Sequence, residues 1–224
     1  MKAYQRRHLY VNLQNRLSWL DKARSQRLES IQKKREHKES LSLLSLAQET
    51  DFYRQSGPYK RLAQAQEFKE LFYEKLKEVE GPYYFPRALR KAFFDQEEMK
   101  TLINLVHKHF FYNEAELNQE QRRCFIEATY FFITLRSLVM FDINSLSFSC
   151  KDALDKGLTR STLFYLSINY FIERRELEQQ EQEMLLHGLL APTLLVRERQ
   201  LATKAIDCIC ENVAFMRQVM TLLN

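Results

Sequence analysis

Histidine and cysteine are among the side chains in this sequence that could bind a metal ion or carry redox chemistry, and they include two close pairs. His107 and His109 are two positions apart in the sequence, as are Cys208 and Cys210. On an α-helix, side chains two positions apart point about 200° away from each other, so neither pair can grip one metal ion. A redox pair usually has two intervening residues. We therefore expect no metal site at these positions.

The common catalytic and phosphate-binding motifs are also missing from the sequence. Its four glycines lie far apart and leave no Gly-rich loop that could cradle a nucleotide. It contains no Gly-x-Ser-x-Gly and no His-Glu-x-x-His. A metal site inside a helical bundle would need Glu-x-x-His pairs, and there are none. The sequence therefore favours a protein without cofactor or catalytic residues, while an unusual helical enzyme stays open as an alternative.

Basic residues give the N-terminal segment its character. The net charge is +5, and the excess of Lys and Arg lies in the first 40 residues. We predict that residues 4–36 form one long polar helix with a thin apolar stripe. The residues of this helix that we expect to bind a partner are Leu13, Leu17, Trp19 and Leu20, and its basic side chains include Arg6, Arg7, Arg16, Arg24 and Arg27.

Three classes of partner could bind such a segment: nucleic acid, an anionic membrane surface or another protein. A nucleic-acid-binding helix would place its basic residues on one face, whereas here acidic residues such as Asp21 and Glu29 lie among them. A membrane-surface helix would need a broader apolar face. We therefore expect a protein partner, with nucleic acid as the first alternative and a membrane surface as the second. Packing of the arm on its own bundle also stays open.

An aromatic loop is the second candidate contact. Tyr83, Tyr84 and Phe85 lie between Pro82 and Pro86, where the chain passes from one predicted helix to the next. Tyr and Phe are favoured in the cores of protein interfaces. The loop is therefore expected either to anchor in the core of its own chain or to dock onto another chain.

The scarcity of glycine and proline, four of each in 224 residues, indicates an all-α fold. Sheets built from hairpins need Gly-containing turns, and the sequence has no Asn-Gly or Asp-Gly pair. We predict a multi-helix bundle with a long basic N-terminal helix. The predicted parts are a basic helical arm over 1–56 and a bundle over 57–224, with core helices 96–112, 119–141, 160–187 and 193–222.

Individual residues suggest where these helices begin and end. Asn118 with Gln121 predicts a capping box before helix 119–141, which is apolar nearly all round and should be the central helix. Asp95 with Glu98 predicts a capping box before helix 96–112. Gly188 and Pro192 indicate a break between the last two helices. The mixture of Ser and Leu over 40–46 is interpreted as the start of a helix after the arm.

The composition, rich in Phe, Tyr, Leu, Gln and Lys and poor in Gly, is similar to that of small adaptor subunits and effectors of bacterial secretion systems, including type IV coupling complexes. The resemblance lies in composition and covers no alignable segment. We expect a non-enzymatic adaptor or accessory subunit of a multiprotein complex that binds protein partners through the N-terminal helix and the aromatic loop, with a nucleic-acid-associated protein that uses the basic arm as the alternative. No signal peptide or transmembrane segment is recognisable, so a cytoplasmic location is expected.

Overall fold

A computed structural model describes residues 6–150 and 154–223 of the chain, and side chains as far as residue 221. The chain folds into two compact units, Met1–Ser147 and Phe148–Asn224. The predicted division between residues 56 and 57 falls inside the first unit. The prediction of an all-α fold is wrong, because the structure is 63% helical and also contains a small three-stranded sheet.

The first unit begins with two strands separated by a helix, continues with helices alone and ends in a third strand. Strand β3, at its end, crosses the boundary between the two units. In chain order the elements are β1 (His8–Asn12), α1 (Lys22–Lys33), β2 (Leu41–Ser45), α2 (Asp51–Arg54), a 3-10 helix (Gly57–Arg61), α3 (Ala65–Lys77), α4 (Arg87–Arg90), a π-helix (Lys91–Asp95), α5 (Glu98–Phe110), α6 (Gln119–Met140) and β3 (Ser145–Ser149).

The sheet has the strand order β2-β1-β3, and β1 pairs in parallel with β2 so that His8 lies opposite Leu41 and Asn12 opposite Ser45. Helix α1 is the crossover between these two parallel strands. A crossover needs no hairpin turn, so the lack of Gly-containing turns excluded hairpins but not this sheet. The Ser and Leu residues over 41–45 form strand β2, where two successive leucines, Leu43 and Leu44, are both buried.

The predicted long N-terminal helix is also wrong. Of the predicted range 4–36, residues 4 and 5 lie outside the described part, and the rest holds strand β1, a turn and the 12-residue helix α1. The 3–4 spacing of Leu13, Leu17 and Leu20 imitates a helix. In the structure Leu13 follows the strand, while Leu17 and Leu20 lie in the turn before α1.

Helix α6, which its apolar sequence predicts to be central, buries 12 of its 22 residues. The capping box before it is confirmed: the Asn118 side chain accepts from the Gln121 N–H, and the Gln121 side chain accepts from the Asn118 N–H, both at 2.8 Å. The predicted box at Asp95 and Glu98 is wrong, because the π-helix continues through Asp95 and α5 starts after Glu97, which has a left-handed backbone.

The second unit contains α7 (Lys156–Ser167), a π-helix (Ile168–Glu173), α8 (Gln179–Arg197) and α9 (Thr203–Leu223). Its core includes Leu163, Leu166, Tyr170, Leu177 and Met216. The predicted helix 160–187 is interrupted after Glu173, where Arg174 has a left-handed backbone. Helix α8 then runs through Gly188 and Pro192, so these residues do not mark the predicted break, and the last helix starts at Thr203 instead of 193.

Among the described residues, no helix is both long enough and apolar enough to cross a bilayer.

Candidate functional site

The most unusual surface of the first unit is the turn between β1 and α1. Leu17 is 52% exposed, Trp19 89% and Leu20 77%. The turn is closed by its own backbone, with the Ser18 N–H bound to the Asn15 carbonyl at 2.9 Å and the Lys22 N–H bound to the Ser18 carbonyl at 2.9 Å. We call Leu17, Trp19 and Leu20 the apolar turn.

Arg16 anchors the base of the apolar turn. Its guanidinium forms a two-pronged ion pair with the Glu29 carboxylate of α1, at 2.9 and 3.0 Å. It also donates to the backbone carbonyls of Val79, Gly81 and Tyr83, at 3.1, 2.8 and 3.0 Å. Both charged side chains are largely buried. Arg16, expected to be one of the basic side chains that meet a partner, is therefore committed to internal contacts that tie the turn to α1 and to segment 79–83.

The carboxylates of Asp21, just before α1, and of Glu29, inside it, are bound within their own unit. Glu29, the only acidic residue of α1, is buried against Arg16, and Asp21 accepts from the Gln14 side chain at 2.7 Å. Arg24 and Arg27 are exposed, and their spacing of three places them on one face of the helix. Within α1, the fold therefore buries the carboxylate and leaves these two arginines at the surface. We call Arg24 and Arg27 the basic face.

The other basic residues expected in the arm lie elsewhere. Arg6 is exposed, just before β1. Arg7 donates to the Phe141 carbonyl at 3.3 Å and lies 3.6 Å from the Asp142 carboxylate. Leu13, expected to belong to the apolar stripe, is completely buried. The structure therefore brings Leu17, Trp19, Leu20, Arg24 and Arg27 to the surface around one turn, and it places the remaining predicted contacts apart from them.

The aromatic loop turns into the core instead of outward. Tyr83 and Phe85 are buried, and the Tyr83 hydroxyl accepts from Tyr130 of α6 at 3.1 Å. Burial raises the pKa of Tyr83 to about 12. Tyr84 is half-buried; its backbone pairs with Ser45 of β2, and the Arg16 guanidinium lies 5.7 Å from its ring centre. Of the two outcomes expected for this loop, anchoring in its own core matches the geometry.

Two buried charged residues on α6 were missed as candidates. Arg122 is bound at Nε to the Gln55 amide oxygen at 2.6 Å and donates to three backbone carbonyls, those of Leu117, Tyr59 and Lys60. Glu127 accepts from the Gln48 side chain at 3.2 Å and from the Tyr53 hydroxyl. The signal in the sequence was a charge inside an otherwise apolar helix. These contacts join α6 to the segment 48–60 and have a structural role.

Between α5 and α6 lies an open apolar groove of about 320 Å³, lined by Leu102, Phe132, Leu135 and Val139 among others. The Glu98–Arg136 ion pair, at 2.9 Å, is part of its wall and lowers the pKa of the Glu98 carboxyl. The groove contains no nucleophile and no second titratable pair. Its lining offers packing surface but no chemistry.

In the described part of the chain, no three His, Cys, Asp or Glu side chains lie close enough together to hold a metal ion. His107 is buried, and its Nε2 lies 2.9 Å from the Glu114 carbonyl. Burial lowers the pKa of this imidazole, so it is neutral at pH 7 and donates its N–H to that carbonyl.

No protein-family profile, curated protein or solved structure matches this chain. The case for a function therefore depends on the surface of the chain itself, and above all on the apolar turn.

Proposed function

We propose that this protein is a non-enzymatic adaptor or accessory subunit that binds another protein through the apolar turn. The observation that carries the proposal is the exposure of three large apolar side chains within four residues, Trp19 most of all. Contiguous apolar side chains on a surface mark interaction sites, and Trp is among the residues that contribute most to binding energy.

The anchoring of the turn supports this use. Arg16 and Glu29 fix the base of the turn, and the Asn15 side chain accepts from the Leu17 N–H at 3.1 Å. A contact surface that is already ordered loses less conformational entropy when it binds. The partner would offer an apolar pocket for Trp19 and Leu20, with acidic groups beside it for the basic face. A link to a bacterial secretion system, the absence of catalysis and a cytoplasmic location stay predictions.

A nucleic-acid-associated role is the second candidate, and the basic face favours it. Arg24 and Arg27 are exposed on one side of α1, and the only carboxylate of that helix is buried. Phosphate binding would weaken steeply with added salt, whereas an apolar contact would persist. A membrane surface is the third candidate, because Trp next to basic residues also suits an anionic lipid interface.

Capture from native lysate by the immobilised full chain, with quantitative mass spectrometry, tests the proposal. In moderate salt, the wild type should capture a protein from the lysate that the double variant Trp19→Ser/Leu20→Ser does not capture. Leu105→Ser is the matched control, because Leu105 is a half-exposed apolar residue on α5 away from the turn, and it should retain that protein. Equal capture by wild type and double variant would contradict the proposal.

Nuclease treatment and added lipid separate the alternatives. If capture disappears with nuclease or between about 50 and 200 mM salt, and Arg24→Gln/Arg27→Gln is the more damaging variant, the nucleic-acid role replaces the proposal. If the chain binds anionic vesicles through Trp19 and captures no protein, the membrane role does.

A further inference from the structure

Helix α8 of the second unit carries a row of large apolar side chains that are exposed. Between Glu183 and Arg197 the sequence has no Asp, Glu, Lys or Arg over 13 residues. One face of the helix is buried through Leu189 and Thr193. Next to this buried face, Leu186, Leu190 and Leu194 are 53%, 37% and 49% exposed.

These three leucines form one row, because residues four apart lie above one another on a helix. Met184 and Leu195 are exposed as well and widen the apolar surface. Soluble proteins rarely leave such a patch open to water. We call Leu186, Leu190 and Leu194 the leucine row.

Charges of opposite sign stand at the two ends of the leucine row, and they suggest what covers it. Glu183 precedes the row and Arg197 follows it, and both are exposed. Each is seven positions from Leu190, so the row and its charges are symmetric about that residue. Fourteen positions correspond to about 21 Å of helix.

This symmetry fits an antiparallel pair of identical helices. If two α8 helices cross at Leu190, each Leu186 meets Leu194 of the second copy, and each Glu183 meets Arg197 of the second copy. A two-fold contact is self-complementary in this way. A parallel pair would bring Glu183 against Glu183 and Arg197 against Arg197, which like-charge repulsion disfavours.

We propose that the leucine row is a self-association surface, through which two copies of this chain pair their α8 helices antiparallel. A heptad-like row with charges that select the orientation is the usual device of helix pairing. The apolar turn lies in the other unit, so this proposal does not depend on the proposed function.

Sedimentation equilibrium of the full chain over low to high micromolar concentrations is the primary test. The wild type should form a dimer. Leu190→Lys should weaken dimerisation by about a hundredfold or more, because the two-fold axis brings the two new charges together in an apolar contact. Leu105→Lys, at a comparably exposed leucine of α5, should leave the dimer intact.

A charge swap makes the test specific and uses only exposed residues. Glu183→Arg alone should weaken the dimer, since it places positive charge against Arg197 of the second copy. The double variant Glu183→Arg/Arg197→Glu should restore it, because opposite charges again meet at both ends of the row.

Three outcomes would overturn the proposal. One is a wild type that stays monomeric throughout the concentration range. Another is a dimer that survives Leu190→Lys, which would place its interface elsewhere. The third is a monomer that floats with phosphatidylcholine–phosphatidylglycerol vesicles and loses that binding in Leu190→Lys, which would assign the leucine row to a lipid surface.

Discussion

The aromatic loop and the apolar turn are both short, apolar and joined to Arg16, yet the loop is buried and the turn is exposed. Tyr83 and Phe85 of the loop are buried, whereas Trp19 and Leu20 of the turn are among the most exposed large apolar residues described. Two neighbours explain the difference. The loop pairs with β2 through Tyr84 and Ser45 and meets α6 through Tyr130, while the turn is closed by bonds within its own backbone. Aromatic composition alone therefore does not distinguish a segment that anchors in the core from one that stays exposed.

The largest loss of stability should come from removing the Tyr83 ring from the aromatic loop. We expect Tyr83→Ala to lower the free energy of unfolding by about 3–5 kcal/mol, because it opens a cavity beside Tyr130 in the aromatic core. Trp19→Ala should change it by less than about 0.5 kcal/mol, since the indole is already in water. Urea unfolding of the full chain, followed by circular dichroism, measures both. Equal losses would mean that the turn packs as firmly as the loop.

Replacing Arg16 should cause the second-largest loss of stability, because its guanidinium contacts both helix α1 next to the turn and the backbone of the aromatic loop. Arg16→Met leaves the buried Glu29 carboxylate without its cation and three carbonyls without their donor, at a cost of about 3 kcal/mol. Arg24→Met, a change of the same kind at an exposed arginine, should have little effect. The double variant Arg16→Met/Glu29→Met should recover part of the loss. Failure to recover any would indicate that the carbonyl contacts, not the ion pair, dominate.

Acidification should lower the free energy of unfolding through the buried His107, by less than the substitutions at Tyr83 and Arg16 do. Burial holds the pKa of His107 below its ordinary value, so the unfolded chain takes up the proton first. The stabilisation that the neutral His107 imidazole gives is complete above its pKa in the unfolded chain, about 6.5. It is lost as the pH falls through its lower pKa in the folded chain. Unfolding of wild type and His107→Gln between pH 7.5 and pH 5 should therefore show a steeper loss in the wild type. Parallel curves would contradict this role for His107.

The smallest effect on stability is expected at the basic face. Arg24→Gln/Arg27→Gln should leave the melting temperature unchanged, because both side chains are exposed. It should weaken partner capture less than Trp19→Ser/Leu20→Ser does, if the apolar contact dominates. Capture measured side by side at low and moderate salt ranks the two. The reverse ranking would favour phosphate recognition.

The sequence predicted α6 closely and the N-terminal segment poorly, for physical reasons. Helix α6 has a long apolar pattern and a capping box, and both are local signals. Strands β1 and β2 are five residues each and gain their stability from pairing across a crossover, which local pattern does not contain. Pro192 inside α8 shows the same limit, since a proline usually marks the end of a helix.

The candidate site was partly predictable. Leu17, Trp19 and Leu20 were selected because they sit in a basic segment without enough apolar residues to build a core, and they are exposed in the structure. Arg16 and Glu29 point into the first unit, so the carboxylate of α1 is buried while its arginines stay exposed. This arrangement depends on segment 79–83, about 60 residues further along the chain. No local pattern could reveal that contact.

Photo-crosslinking inside the native cell would show whether the apolar turn contacts another protein. A photoreactive phenylalanine analogue would replace Trp19 in one variant, Leu105 in a second and Phe85 in a third. Binding through the apolar turn should give one discrete crosslinked protein species from position 19 and none from position 105 or from the buried position 85. Crosslinks that are equally abundant from positions 19 and 105, or none from position 19 while the chain still captures its partner, would contradict it.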